Sequence, residues 1–156
     1  PRVCVTQLMG FKMSDSIARD CVRVGLHADS WQDAIRLVAA PLVERGSIEA
    51  SYVDRMIESV NELGPYIVLM PGFALAHAAP GDDVHVSDLS VALFDGEVFF
   101  GSDNDPVRVV MCLACVDRES HIARLQGVAE KLLDETFVER MVACSSGQEL
   151  YELVNA

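Results

Sequence analysis

The chain predicts an α/β (α+β) fold, a mixed β-sheet flanked by helices, and three observations carry that prediction. Short segments bounded by Gly and Pro either alternate apolar and polar residues or run apolar throughout, as strands do. Other segments repeat apolar residues at helical spacing behind Ser, Thr or Asp. The two kinds mix without a strict β-α-β rhythm, so the sheet is mixed rather than purely parallel. A length of 156 residues suits one domain with a sizeable core.

Residues 1–12 read as an N-terminal extension, and residues 13–156 as the folded domain, with Met13 as its start. A short helix is expected over residues 14–19, then a half-buried strand over 21–26. Ser30 and Asp33 have the form of a capping box, with the acid one carbon shorter than the usual Glu. The helix behind them places Ala34, Ile35, Val38 and Leu42 on one face, with a kink at Pro41 and a stop at Gly46. A second helix starts at Ser51, turns Val53, Met56, Ile57, Val60 and Leu63 inward, and ends at Gly64-Pro65.

Strands follow over residues 66–70 and 73–77, separated by a bend at Pro71-Gly72. A strand over 88–94 is expected to turn at Asp95-Gly96 into a further strand at 98–100. Residues 107–116 are nearly all apolar and predict a central strand buried on both faces. Ile122, Leu125, Val128, Ala129, Leu132 and Leu133 recur at helical spacing. Thr136 with Glu139, and Ser146 with Glu149, have the spacing of capping boxes for two short final helices.

Charge and composition narrow the function. Twenty-four acidic against 12 basic residues give a net charge of −12, which repels nucleic acid and anionic lipid and suits a basic protein partner. No apolar run approaches the roughly 20 residues that span a bilayer, so direct membrane insertion is not expected. The first residues lack a secretory signal, and five cysteines, an odd number, sit mostly among apolar neighbours. Both points fit reduced thiols and a cytoplasmic location.

Four histidines are the candidates for chemistry. His27 falls in a loop and His85 among alternating polar residues, so both read as surface residues. His77 ends an apolar strand, and His121 opens a helix just after the central strand. Strand ends and helix starts meet at the rim of an α/β sheet, where such folds place their sites. A helix start also presents N–H groups that favour an anion. Near-neutral imidazole is a competent nucleophile, so a pair of this kind suits phosphoryl transfer. Two unrelated histidines, one near the core and one exposed, satisfy the spacing equally well. Cys112 and Cys115 form a C-x-x-C, but residues three apart on a strand point to opposite faces, so both read as core. Asp82, Asp83 and Asp88, and the pair Asp103 and Asp105, lack the spacing of a calcium loop and read as turn residues.

The stretch Gly64-Pro65-Tyr66-Ile67-Val68, with Pro71-Gly72-Phe73-Ala74-Leu75-Ala76-His77-Ala78, resembles the phosphohistidine motif of the mannitol/fructose-type enzyme IIA superfamily. That superfamily belongs to the sugar phosphotransferase system (PTS), and the nearest resemblance is to its ascorbate-type branch. Asn104-Asp105-Pro106-Val107-Arg108 and Val116-Asp117-Arg118-Glu119-Ser120-His121-Ile122 resemble its second block. The resemblance implies a mannitol-type enzyme IIA fold and a phosphotransferase. His77 would accept a phosphoryl group from HPr on Nε2 and pass it to a cysteine of enzyme IIB, coupled to membrane enzyme IIC. His121 would stabilise the phosphate, with Phe73, Leu75 and Ala79 rimming a shallow depression. No metal and no cofactor is implied, and a homodimer is left open. Asn61 and Ala79 stand where members of the superfamily carry Arg, so charge stabilisation would fall to His121, backbone N–H groups and Arg118 or Arg124.

Two other classes remain. A regulatory module would keep the phosphorylatable His77 but bind a regulator instead of feeding a transporter. A thiol or metal protein would use Cys112 and Cys115.

Overall fold

The computed structural model describes residues 17–156, so the N-terminal extension and the first half of the helix expected over residues 14–19 lie outside the described residues, while residues 17 and 18 are not helical. A 3-10 turn, Arg19–Cys21, leads into strand β1, Val22–Leu26. Helices α1, Trp31–Glu44, and α2, Ala50–Leu63, follow. Strands β2, Val68–Met70, and β3, Phe73–His77, precede the long β4, Asp88–Val98, and β5, Val107–Ala114. Three helices close the chain: α3, Arg118–Leu132; α4, Phe137–Val142; and α5, Gly147–Val154.

The strands form one mixed sheet in the order β1-β4-β5-β3-β2. β1 runs parallel to β4 and β3 parallel to β5, while β4 with β5 and β2 with β3 are antiparallel. The apolar β5 is therefore the middle strand, as its composition demands. Met111 and Cys112 are neighbours, point to opposite faces and are both fully buried. Each face of the sheet therefore carries a helical layer. Cys112 Sγ touches Met56 of α2, and Ser90 Oγ donates to the Val38 carbonyl of α1, which places α1 and α2 over that face. Burial of Ser90 thus leaves no polar group unpaired.

Local chemistry explains most boundaries. Ser30 Oγ accepts from Asp33 N at 3.1 Å and caps α1. The short Asp33 side chain reaches the Asp29 N–H instead of that of Ser30. Gly46 takes a positive φ just beyond the helix, the conformation that stops a helix and favours Gly. Pro71 and Gly72 join β2 to β3 as a tight hairpin, with Gly72 at φ +84°, the chemistry of a type II turn.

Four expectations are corrected. α2 starts at Ala50 behind Glu49, with no side-chain cap at its start. Its buried face therefore includes Tyr52, while Leu63 is 71% exposed. Asp95-Gly96 is not a turn: β4 runs through to Val98, and Gly96 has no positive φ. The irregularity there is a register shift against β5 between Leu93 and Val98. The turn comes later, where the Asp105 carboxylate accepts from the N–H groups of Phe100, Gly101 and Ser102. Thr136 does not cap α4 through its side chain; Asp134 accepts from both its N–H and its hydroxyl. In α3, finally, only Val128 is fully buried, and Ile122 and Leu133 face solvent.

Candidate active site

β3 and β5 run parallel, so their C-terminal ends share one edge of the sheet. His77 is the last residue of β3 and stands in register with Leu113 of β5. Beyond Ala114 the chain turns sharply into α3. Val116 N–H donates to Ser87 Oγ at 3.0 Å, and Asp117 caps α3 by accepting from Ser120 N at 2.8 Å. The first intrahelical bond, His121 N to Asp117 O, sets His121 one turn into the helix. The two imidazoles meet, with ring centroids 5.8 Å apart and planes inclined at 47°.

The His77 ring is held on two sides. Its Nδ1 lies 2.7 Å from the Leu75 carbonyl oxygen. A carbonyl only accepts, so Nδ1 carries the proton and Nε2 keeps its lone pair. Tyr66 stands edge-on to the ring, 5.6 Å between centroids at 86°. Burial holds the His77 pKa below the ordinary histidine value, and the bond to Leu75 opposes that only partly. Burial and repulsion from His77 lower the His121 pKa as well. In both rings the neutral form is therefore favoured.

Among the described residues, His121 Nδ1 and Arg124 Nη1 are buried and find no hydrogen-bond partner. Arg124 lies three residues beyond His121 on α3, so both occupy one face of the helix. A buried polar group left unpaired costs about 1–3 kcal/mol, and an anion reaching this face of the helix would relieve that cost. Arg118 lies exposed at the start of the same helix.

The helix start itself is not free for an anion. Its Ser120 N–H is taken by Asp117, whose pKa the bonds from Ser120 lower. The expected apolar rim also shifts. Phe73 and Leu75 are core residues, and Ala79 is exposed. Tyr66, against the His77 ring, and Ile122, next to His121 in the chain, are exposed apolar side chains beside the pair. Tyr66 and the buried Tyr52 were missed at the sequence level. The spacing of Tyr52, Met56 and Val60, one every four residues, was the available signal for the latter.

The remaining candidates lie elsewhere. His27 pairs with Asp29 and His85 with Glu49, both at the surface. Cys112 and Cys115 are sealed in the core, and burial pushes the Cys112 thiol up to about 12. Asp83 pairs with Arg55, and Asp88 with Ser47 and Arg45. Among the described residues no group of three or more His, Cys, Asp or Glu is placed to hold a metal.

Comparison with known proteins converges on one family. Residues 15–156 match the model for "Phosphoenolpyruvate-dependent sugar phosphotransferase system, EIIA 2". The chain is 30% identical over 147 residues to the ascorbate-specific PTS system EIIA component of Shigella boydii, covering 92% of this chain and 96% of that protein. The solution structure of the mannitol-specific cryptic phosphotransferase enzyme IIA from Escherichia coli superposes with a TM-score of 0.84 at 28% identity, covering 92% of this chain and 98% of that one. An Escherichia coli complex of mannitol enzyme IIA with phosphorylated enzyme IIB gives 0.77 at 26% identity, over 88% and 96% of the two chains.

Proposed function

The chain belongs to the EIIA type 2 family of the phosphoenolpyruvate-dependent sugar phosphotransferase system, and on that premise we propose that His77 is its phosphoryl acceptor. The observation that carries this reading is the Nδ1–H bond from His77 to Leu75 at 2.7 Å, which leaves Nε2 as the nucleophile beside His121. The Nε2 lone pair attacks phosphorus as the bond to phospho-HPr breaks. In the second step a cysteine thiolate of enzyme IIB attacks the same phosphorus, and Nε2 leaves with its electron pair restored. Such a transfer needs alignment and stabilisation of spread negative charge more than covalent help. His121 and Arg124 supply that stabilisation, since each keeps a buried nitrogen without a partner. They stand in for the cationic groups absent at Asn61 and Ala79.

Residues 13–156 are then one enzyme IIA type 2 domain, acting in the cytoplasm and upstream of a membrane enzyme IIC. No helix among the described residues is long and apolar enough to cross a membrane. Similarity to ascorbate-specific components favours uptake of ascorbate or a related sugar acid.

Phospho-HPr, followed by candidate enzyme IIB domains, tests the relay. His77→Ala should abolish labelling and leave the fold intact by circular dichroism. His121→Ala should slow labelling by about tenfold to a thousandfold without abolishing it. Native labelling of H77A would overturn the assignment. Labelled His77 that passes phosphate to no enzyme IIB would indicate a regulatory role instead.

A further inference from the structure

The last rung between β3 and β5 is made by a side chain. Tyr52, from the first turn of α2, is fully buried. Its hydroxyl oxygen lies 2.7 Å from the Leu113 carbonyl and 3.0 Å from the Ala78 amide nitrogen. The Ala78 carbonyl lies within 3.2 Å as well. A phenol donates one hydrogen and accepts others. The consistent assignment is Ala78 N–H donating to the hydroxyl and the hydroxyl donating to Leu113 C=O. The phenol is thus interposed where the direct ladder ends, immediately after the His77–Leu113 pair.

The phenol is itself fixed. Arg55 lies over its ring, Cζ 5.1 Å from the centroid. The same guanidinium donates to both Asp83 carboxylate oxygens, at 2.9 and 2.6 Å. Ser51 Oγ also donates to Asp83, and Glu49 N–H donates to the Asp83 carbonyl. The first turns of α2 therefore clamp both the end of β3 and the loop that leaves it.

We propose that Tyr52 is a positioning residue for His77: its hydroxyl, bridging Ala78 N–H and Leu113 C=O, holds the strand end that keeps Nδ1–H on Leu75 and Nε2 free. This rests on the reading of His77 as the acceptor. Without the hydroxyl, two buried backbone groups lose their partner and the strand end beside His77 frays. A frayed end releases Nδ1 from Leu75, and the tautomer protonated at Nε2 carries its lone pair on Nδ1, so Nε2 can no longer attack.

Tyr52→Phe tests this, with Val60→Ala as a control on the same buried helix face, remote from the rung. Two measurements are made on each: the nitrogen-15 shifts of the His77 ring, which report the tautomer, and single-turnover labelling from phospho-HPr. In Y52F the ring should move to a mixture of tautomers, and the labelling rate at saturating phospho-HPr should fall on the order of tenfold to a hundredfold. Half-saturating phospho-HPr should stay unchanged, and V60A should keep the native tautomer and rate. A folded Y52F with native tautomer and native rate would overturn the proposal, as would equal losses in V60A. If Y52F does not fold, 3-fluorotyrosine placed at position 52 must shift the Ala78 amide and His77 ring signals, and unmoved signals overturn it. The tautomer measurement needs no phosphoryl donor. A tautomer change in Y52F, with a wild-type protein that takes no label, would therefore sink the acceptor reading alone.

Discussion

At the scale of single residues, the site is governed by how burial treats an imidazole. His77 and His121 both have pKa values lowered below about 6.5, chiefly by desolvation. A lowered folded value means the unfolded chain binds protons first as the pH drops. The stability contributed by the two neutral rings is therefore complete above about pH 6.5 and is lost as pH falls through their folded values. Urea midpoints measured from pH 7.5 down to 5 should show this loss, and the double variant His77→Ala, His121→Ala should flatten it. Ring titrations by NMR should place both midpoints below that of free histidine. The ends of the motif were visible in the sequence because a polar residue closing an apolar strand is conspicuous. The orientation of the ring was not, since it depends on the Leu75 carbonyl two residues back and on Tyr66 across the hairpin.

Elements carry the next level of control. The helix α3 buries little of itself: only Val128 along it is fully buried, with Leu125 and Leu132 partly buried against the core, so its cap carries more weight than in a deeply packed helix. Asp117→Ala should lower the urea midpoint by removing the cap on the Ser120 N–H. It should also raise amide exchange at the first turn, where His121 sits. Ile122 and Leu133 belong to the apolar residues that recur at helical spacing, yet they are 46% and 80% exposed. Periodicity reports that a helix has an apolar stripe, not whether the stripe is covered. The same gap explains α4: Thr136 and Glu139 have the spacing of a cap, but Asp134 competes for the Thr136 N–H and hydroxyl. In β4, Asp95-Gly96 is compatible with a turn, and pairing with β5 on both sides of it decided for a continuous strand.

At the scale of the whole molecule, two helical layers seal the middle strand, and that seal separates the chemical from the structural residues. Cys112 and Cys115 lie inside it, with thiol pKa values raised by burial. Thiolate is the reactive form, so in the native protein these two should resist a thiol reagent that they consume readily in urea. Cys144, half-buried and the most accessible of the described cysteines, should react before Cys21, Cys112 and Cys115. Prompt native labelling of Cys112 or Cys115 would revive a redox reading of the C-x-x-C.

Taken alone, the sequence determined the mixed sheet, the central place of β5, the caps at Ser30 and Ser146, and the two histidines as the residues to watch. These follow from hydrophobic pattern and local hydrogen bonding, which act between residues close in the chain. The tertiary structure alone decided that His77 and His121 stand 5.8 Å apart, that the helix start is already occupied by Asp117, and that Tyr52 completes the rung beside His77. Each is a contact between segments distant in the chain or a competition for one donor. Such outcomes depend on which groups the folded backbone brings within hydrogen-bond reach.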